Sequence, residues 1–218
     1  MTNVSPVTLI ILLSVLALLP FFLMMVTSYV KIVVVFSLVR NALGVQQVPP
    51  TMVLNGLAMV LTLFIMAPVG LDTWALIDKS GNVEQTVSDP EKLAPMLEAA
   101  SPPLRGFLQR NTDAQTLAAL EHSARRIWPE RYHSLLEENS FLFLIPAFVL
   151  TELTEAFKIG FLLYLPFVVI DLIISNILLA MGMMMVSPMT ISLPFKLLLF
   201  VTLDGWLKIS QGLMYGYG

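Results

Sequence analysis

The chain has 218 residues, a mean hydropathy of +0.83 and a formal net charge of -3, with 57% hydrophobic and only 12% charged residues. This composition excludes an ordinary soluble domain and the basic surface of a nucleic-acid-binding protein. Because the chain contains no cysteine, disulfides and thiolate metal sites are excluded as well. The high hydropathy and the small number of charges predict a helical membrane protein.

Residues 1–71 are predicted to form an N-terminal hydrophobic helical hairpin. The first apolar run, Leu9 to Val30, contains no charged residue and is long enough to cross a hydrocarbon core. The second run, Thr51 to Leu71, begins directly after Pro49 and Pro50, where a helix is expected to break. Both runs are therefore candidate membrane spans.

Two basic residues, Lys31 and Arg40, lie in the connection between these runs. Short basic connections face the cytoplasm, which would place the next polar region outside. Their spacing puts both on nearly one helical face, from which they could line a polar interior. The preferred interpretation is that they anchor the helix at the membrane interface, with their aliphatic stems in apolar surroundings.

Residues 72–139 are predicted to form a polar, mainly helical insert on the extracytoplasmic side. This segment holds 11 of the 15 acidic and 7 of the 12 basic residues. Asp89 and Ser101 each precede a proline, as N-caps do when proline takes the first helical position. An apolar stripe at helical spacing is formed by Leu117, Leu120, Ala124 and Ile127. Because so small a region buries only a thin core alone, we expect it to pack on the membrane helices or on a neighbouring subunit.

Residues 140–218 are predicted to form kinked hydrophobic helices with a methionine loop. Pro146 and Pro166 interrupt long apolar runs, as prolines do at helix kinks. Two further spans are expected, at Ile159 to Ala180 and at Met189 to Leu203.

Charged residues lie inside these apolar segments. Because an ionised side chain near a bilayer centre costs about 2.5 to 3.5 kcal/mol, Asp171 is expected to pair with Lys196, between helices or between subunits. The alternative is that Asp171 sits at the bilayer edge. Glu152, Glu155 and Lys158 follow at three-residue steps and would form a charged stripe on one helix, although an exposed acidic turn would have the same pattern.

Three consecutive methionines, Met183, Met184 and Met185, cannot share one helical face, since they span roughly 200° of the helical wheel. Gly182 before them and Pro188 after them predict a break in the helix that acts as a hinge. Unbranched, polarizable side chains make a deformable apolar surface. Repeated round an axis by several subunits, this loop could seal a pore yet admit varied cargo, and the alternative is ordinary filling of a membrane core.

Catalytic patterns are missing from the sequence. His122 and His133 are its only histidines, and it contains no H-E-x-x-H, G-x-S-x-G or G-x-x-x-x-G-K pattern. We therefore expect a protein that is not an enzyme and that uses no cofactor and no metal.

Motifs in both apolar portions of the chain resemble, in order, the SctR/YscR/FliP family of type III secretion export-gate proteins. These motifs are Lys31–Val35, Arg40–Gly44, Pro146–Leu153, Pro166–Leu172, the methionine run, Leu193–Lys196 and Asp204–Trp206. The compact length, with no positively charged segment before the first apolar run, looks more like the virulence branch, SctR, than the flagellar one.

The resemblance implies an all-α subunit of membrane-associated helical hairpins that assembles in five copies with SctS-like and SctT-like subunits. The assembly would be a helical or ring-like export gate in the bacterial inner membrane, multi-pass, with much of the protein on the periplasmic side. It would conduct unfolded secreted proteins, with Met183, Met184 and Met185 as a gasket.

Two other functions are compatible with the residues alone. One is an ion-coupled small-solute transporter that uses Asp171 and Lys196 as a relay. The other is a structural scaffold with no lumen. Nucleic acid is not expected as a partner.

Overall fold

A computed structural model describes residues 6–45, 47–79, 90–135 and 140–218, and within these ranges the chain is helical with no strand. The predicted all-α class is thereby confirmed. In chain order the helices are α1 (Pro6–Met25), α2 (Tyr29–Leu43), α3 (Thr51–Lys79), α4 (Pro90–Ala100), α5 (Pro102–Arg110), α6 (Ala114–Ile127), a 3₁₀ turn (Glu130–Leu135), α7 (Phe141–Ala180), α8 (Pro188–Thr202) and α9 (Gly205–Tyr215).

The first apolar run is not one helix, which corrects the expected span from Leu9 to Val30. α1 ends at Met25 and α2 begins at Tyr29, with Val26 and Ser28 buried in the turn between them. The break coincides with the two hydroxyl residues Thr27 and Ser28 of this largely apolar run, and the turn is packed against the rest of the chain. Helix α2 ends at Gly44, whose φ of 74° is the left-handed conformation that glycine adopts at helix C-termini.

Helix α2 lies at the centre of the fold, where it contacts α3, α7 and α8. Its apolar residues occupy the main core with side chains from those helices. This core contains Ile32, Val35, Phe36, Val39, Leu54, Ala58, Ala156, Phe167 and Phe200. Helices α2 and α7 approach closely at Gly160, where an added Cβ would overlap Cδ1 of Leu38 and lie 3.1 Å from its Cβ.

Helix α7 runs for 40 residues through both Pro146 and Pro166. The two prolines therefore do not separate helices, and the span expected from Ile159 to Ala180 is the second half of this longer helix. Each proline lacks the N–H that would bond the carbonyl four residues earlier, so each removes one backbone hydrogen bond from the helix. Burial of one face of α7 against α2 stabilises the helical conformation along the remainder of its length.

Among the described residues, α3 and α7 are long and apolar enough to cross a membrane. Helices α8 and α9 meet the same criterion only together, as a pair bent by 57°. The span expected from Met189 to Leu203 corresponds to α8, which has only 15 residues. Within the part of the chain that the structure describes, two or three helical units therefore have the length and apolarity of a span, against the four expected from hydropathy.

The insert packs on the membrane helices. Phe107 and Leu108 of α5 are buried against Leu144 and Phe148 of α7. The stripe on α6 is only partly buried: Ala124 is buried with Phe143 and Leu117 packs against this pair, whereas Ile127 is exposed. Of the two expected caps, Ser101 donates its hydroxyl to the Glu98 carbonyl and does not cap α5, and Asp89 lies outside the described residues.

Candidate functional site: two buried charge clusters and a methionine loop

The first charge cluster joins α2 to α7 around Lys31. The Lys31 ammonium nitrogen lies 2.8 Å from Oε1 of Glu152 and 2.5 Å from Oε2 of Glu155. The Lys31 and Glu152 side chains are 5% and 0% exposed, whereas that of Glu155 is 47% exposed. One ammonium group therefore faces two carboxyl groups, of which that of Glu155 is the accessible one.

This geometry corrects two interpretations made from the sequence. Lys31 is not an interfacial anchor, because its ammonium is buried opposite Glu152. Glu152 does not belong to an exposed acidic turn, although Glu155 is partly exposed. Lys158 lies on the exposed side of α7, apart from the Lys31 ion pairs. Arg40 donates to Oγ1 of Thr51 at 2.9 Å and has no part in the cluster.

Tyr217, in the turn after α9, completes the cluster and could not be found from sequence spacing. Its hydroxyl donates a hydrogen bond to Oε2 of Glu152. Its ring lies under the Lys31 ammonium, 4.4 Å from nitrogen to ring centroid, which is a cation–π distance. The buried carboxylate thus has a charged neighbour at one oxygen and a neutral donor at the other.

The second charge cluster joins α7, α8 and the end of α2. The Lys196 ammonium donates to Oδ2 of Asp171 at 2.6 Å and to the Ala42 carbonyl at 3.2 Å. Ser192, one turn earlier on α8, donates to Oδ1 of Asp171 at 2.6 Å. The structure therefore brings Asp171 and Lys196 together between helices of one chain. Ser192 is the member that the sequence analysis missed.

The two clusters are separate sites on α7. Nineteen residue positions divide Glu152 from Asp171, which corresponds to about 28 Å along the helix axis. Within the ranges that the structure describes, no group of three or more His, Cys, Asp or Glu side chains could hold a metal ion. The buried charged side chains of the two clusters instead form ion pairs with each other, which offsets the cost of removing them from water.

The methionine loop is held at both ends by standard helix termini. Gly182 has a φ of 73°, its N–H donates to the Leu179 carbonyl at 3.0 Å, and the Met183 N–H donates to the Leu178 carbonyl at 2.9 Å. These two bonds form a Schellman motif that ends α7. Pro188 then occupies the first turn of α8.

The three methionine side chains between these termini are accessible. Met183, Met184 and Met185 are 41%, 80% and 100% exposed. Methionines that fill the core of this chain would be buried, so the single chain gives them no packing role. An apolar loop that the fold leaves uncovered is available to a partner, a second copy or a passing substrate.

In the insert, Asp113 caps α6. Its carboxylate accepts hydrogen bonds from the backbone N–H and the hydroxyl of Thr116, each at 2.9 Å. The backbone bond from Thr116, with smaller help from the charge of Lys158, holds the pKa of Asp113 below its usual value. The Asp113 N–H also donates to Oγ1 of Thr151 at 3.1 Å, which ties this end of the insert to α7.

Comparison with known proteins decides the family. The model of the FliP family matches residues 12–213, which is nearly the whole chain. The chain belongs to the FliP family. The resemblance noted in the sequence is thereby confirmed.

Its curated relatives place this FliP-family chain on the virulence branch of type III secretion. It is 53% identical to the Yop proteins translocation protein R of Yersinia pestis, over 97% of this chain and 96% of that protein. It is 49% identical to the hypersensitivity response secretion protein HrcR of Ralstonia nicotianae over the full length of both. It is 50% identical to the virulence protein YscR of Salmonella typhimurium over 95% of each chain.

The names of these relatives reduce the number of functions that the sequence left open. Their names describe secretion, translocation or virulence, so this FliP-family chain is a component of a type III secretion export apparatus. The small-solute transporter considered from the sequence has no support among them. The apolar helices α3 and α7 are consistent with a membrane protein.

Proposed function

We propose that this FliP-family chain is a conduit-forming subunit of the type III secretion export gate in the bacterial inner membrane. It acts without catalysis, and its methionine loop forms a gasket that limits leakage around unfolded protein substrates. The observation that carries the proposal is the exposure of Met183, Met184 and Met185 in a loop closed at both ends by regular helix termini.

The apolar surface of the single chain supports assembly. Large side chains on α3 and α7 are more than half exposed. They include Val60, Leu63, Phe64, Phe157, Phe161 and Leu162. A surface of this kind is covered by lipid or by other apolar helices. We propose that five copies of the chain, with SctS-like and SctT-like subunits, cover it, with much of the assembly on the periplasmic side.

The chemistry of methionine suits a gasket. A thioether side chain is unbranched and adapts its rotamers to different neighbours, so one ring of loops can close around substrates of varied sequence. Gly182 and Pro188 hold the two ends of the loop and leave the residues between them to move. Gly182 and Pro188 are therefore proposed as the hinge of the gate.

The two charge clusters have different proposed roles. The pair of Asp171 and Lys196 is closed within one chain, so we propose that it sets the position of α8 and, through it, of the methionine loop. Glu155 and Lys158 remain accessible on α7 and are proposed to contact neighbouring subunits, while Glu152 is held inside by Lys31. Such buried pairs serve specific geometry more reliably than stability.

The gasket is tested by replacing Met183, Met184 and Met185 together with alanine in cells that carry the complete apparatus. We expect ion leakage across the inner membrane to rise, because alanine cannot span the same gap, and secretion to fall. Exposed methionines outside the loop provide the matched control, Met52→Ala with Met59→Ala. Unchanged ion permeability together with unchanged export in the triple variant would overturn the gasket role.

A further inference from the structure

Tyr217 contacts three elements that are distant in the sequence. Its hydroxyl donates to Glu152 on α7, and its ring lies 4.4 Å below the ammonium of Lys31 on α2. The same ring stacks on Phe107 of α5, with centroids 5.9 Å apart and planes inclined by 18°. One side chain thus joins the charged cluster of the membrane helices to the polar insert.

The hydroxyl has a specific task at Glu152. This carboxylate is fully buried, and its Oε1 lies 2.8 Å from the Lys31 ammonium, which also pairs with Glu155. The hydroxyl of Tyr217 supplies the hydrogen bond that the structure shows at Oε2. A buried carboxylate that loses such a donor bears the full desolvation penalty at that oxygen.

The ring has a separate task at the insert. Phe107 is 3% exposed and packs between Tyr217 and Phe148, with its centroid 5.8 Å from that of Phe148. These aromatic contacts are the link between α5 and the charged cluster. Stacked and tilted ring pairs at these distances are favourable beyond the area they bury.

We propose that Tyr217 is a positioning residue that seats the polar insert on the membrane helices by coupling the buried pair of Lys31 and Glu152 to Phe107. The proposal goes beyond the export role, because it concerns the fold of the single chain whether or not that chain lines a conduit. The hydroxyl donates a hydrogen bond to the buried Glu152 carboxylate, and the ring keeps Phe107 of the insert packed beside the cluster.

The absence of cysteine from the chain makes a direct test possible, because one introduced thiol is the only one present. Ala147 is 0% exposed and lies one helical turn before Thr151, which accepts the hydrogen bond from Asp113 of the insert. Because Asp113 of the insert bonds to α7 one turn away, we expect a cysteine at Ala147 to become more accessible when the insert leaves α7. Ala42, 2% exposed in the main core, provides the control position.

The experiment measures maleimide labelling of the full-length chain in detergent, with Ala147→Cys or Ala42→Cys as the only thiol. Tyr217→Leu should raise the labelling rate at position 147 by about fivefold or more, because the ring contacts that close the insert are lost. Tyr217→Phe should restore slow labelling, since the ring remains. The rate at position 42 should stay unchanged in both variants.

Three outcomes would overturn the proposal. They are equal labelling at position 147 in the original chain and Tyr217→Leu, equal acceleration at positions 147 and 42, and failure of Tyr217→Phe to restore slow labelling.

The role of the hydroxyl is tested separately by the melting temperature. Tyr217→Phe should lower it in the original chain and change it less beside Glu152→Gln, and equal effects in both backgrounds would refute the coupling. Neither readout involves secretion, so a failed gasket experiment leaves these results interpretable.

Discussion

Lys196 donates a hydrogen bond to the carbonyl oxygen of Ala42 at 3.2 Å, across 154 positions of sequence. Ala42 lies in the last turn of α2, where helix carbonyls lack partners within the helix and carry a partial negative charge. Lys196 therefore serves the end of the central helix and the carboxylate of Asp171 with one ammonium group. This contact joins α8, the helix that follows the methionine loop, to the end of α2.

Asp171→Asn should destabilise the chain by about 1 to 3 kcal/mol, because it leaves the buried Lys196 ammonium without a counter-charge. The value lies below that for a fully buried pair, since the Asp171 side chain is 33% exposed. Thermal unfolding in detergent measures the change. Asp204→Asn, an exposed acid between α8 and α9, is the matched control, and equal melting temperatures for the two variants would contradict a role for the pair.

Lys31→Met should be more damaging, by about 3 to 5 kcal/mol, because Glu152 and Glu155 would then face each other without a cation. Yield and monodispersity on size-exclusion chromatography measure the loss, with Lys158→Met on the exposed face of α7 as control. Adding Glu152→Gln to Lys31→Met should recover part of the yield, since the buried negative charge is removed. No recovery in the double variant would argue against charge as the cause.

Gly160→Ala should destabilise the packing of α2 on α7 by about 1 to 3 kcal/mol, because the new methyl group overlaps Leu38. Gly56→Ala in α3 meets nothing within 4 Å and should instead stabilise its helix by roughly 0.5 to 1 kcal/mol. The melting temperatures of the two variants should therefore move in opposite directions. Combining Gly160→Ala with Leu38→Ala should relieve the overlap, and a double variant no more stable than Gly160→Ala would count against this explanation.

The lowered pKa of Asp113 predicts that the stability of the insert depends on pH. Its pKa in the folded chain lies below the usual 3.8, so the unfolded chain binds more protons between the two values. Its contribution to stability is therefore present above pH 3.8 and is lost as the pH falls through the lower folded value. Asp113→Asn keeps an N-cap but cannot titrate, so the melting temperature should depend less on pH in this window than in the original chain. Identical pH profiles for the two proteins would refute the prediction.

The sequence determined the features that follow from apolarity and local backbone chemistry. Long apolar runs with few charges predict helices, because a helix forms all of its backbone hydrogen bonds within one segment in lipid. The strands of a membrane barrel would instead alternate apolar and polar residues. Gly182 and Pro188 bound a helix break, because glycine readily adopts a positive φ and proline cannot continue a helix before it, and the break lies at residues 181–187. Asp171 and Lys196 could be matched because few ionised groups occur in their part of the chain.

The tertiary structure alone decided the partners of Lys31. A lysine near the end of an apolar run is equally compatible with a membrane interface and with a buried pair, since both satisfy the charge. Glu152 lies on a helix far along the chain, and Tyr217 follows the last helix, so no local spacing relates them. The turn at residues 26–28 was not predicted either, because the burial of Val26 and Ser28 by other parts of the chain cannot be read from the local sequence. Pairing across the fold depends on packing, and packing is not encoded in any single segment.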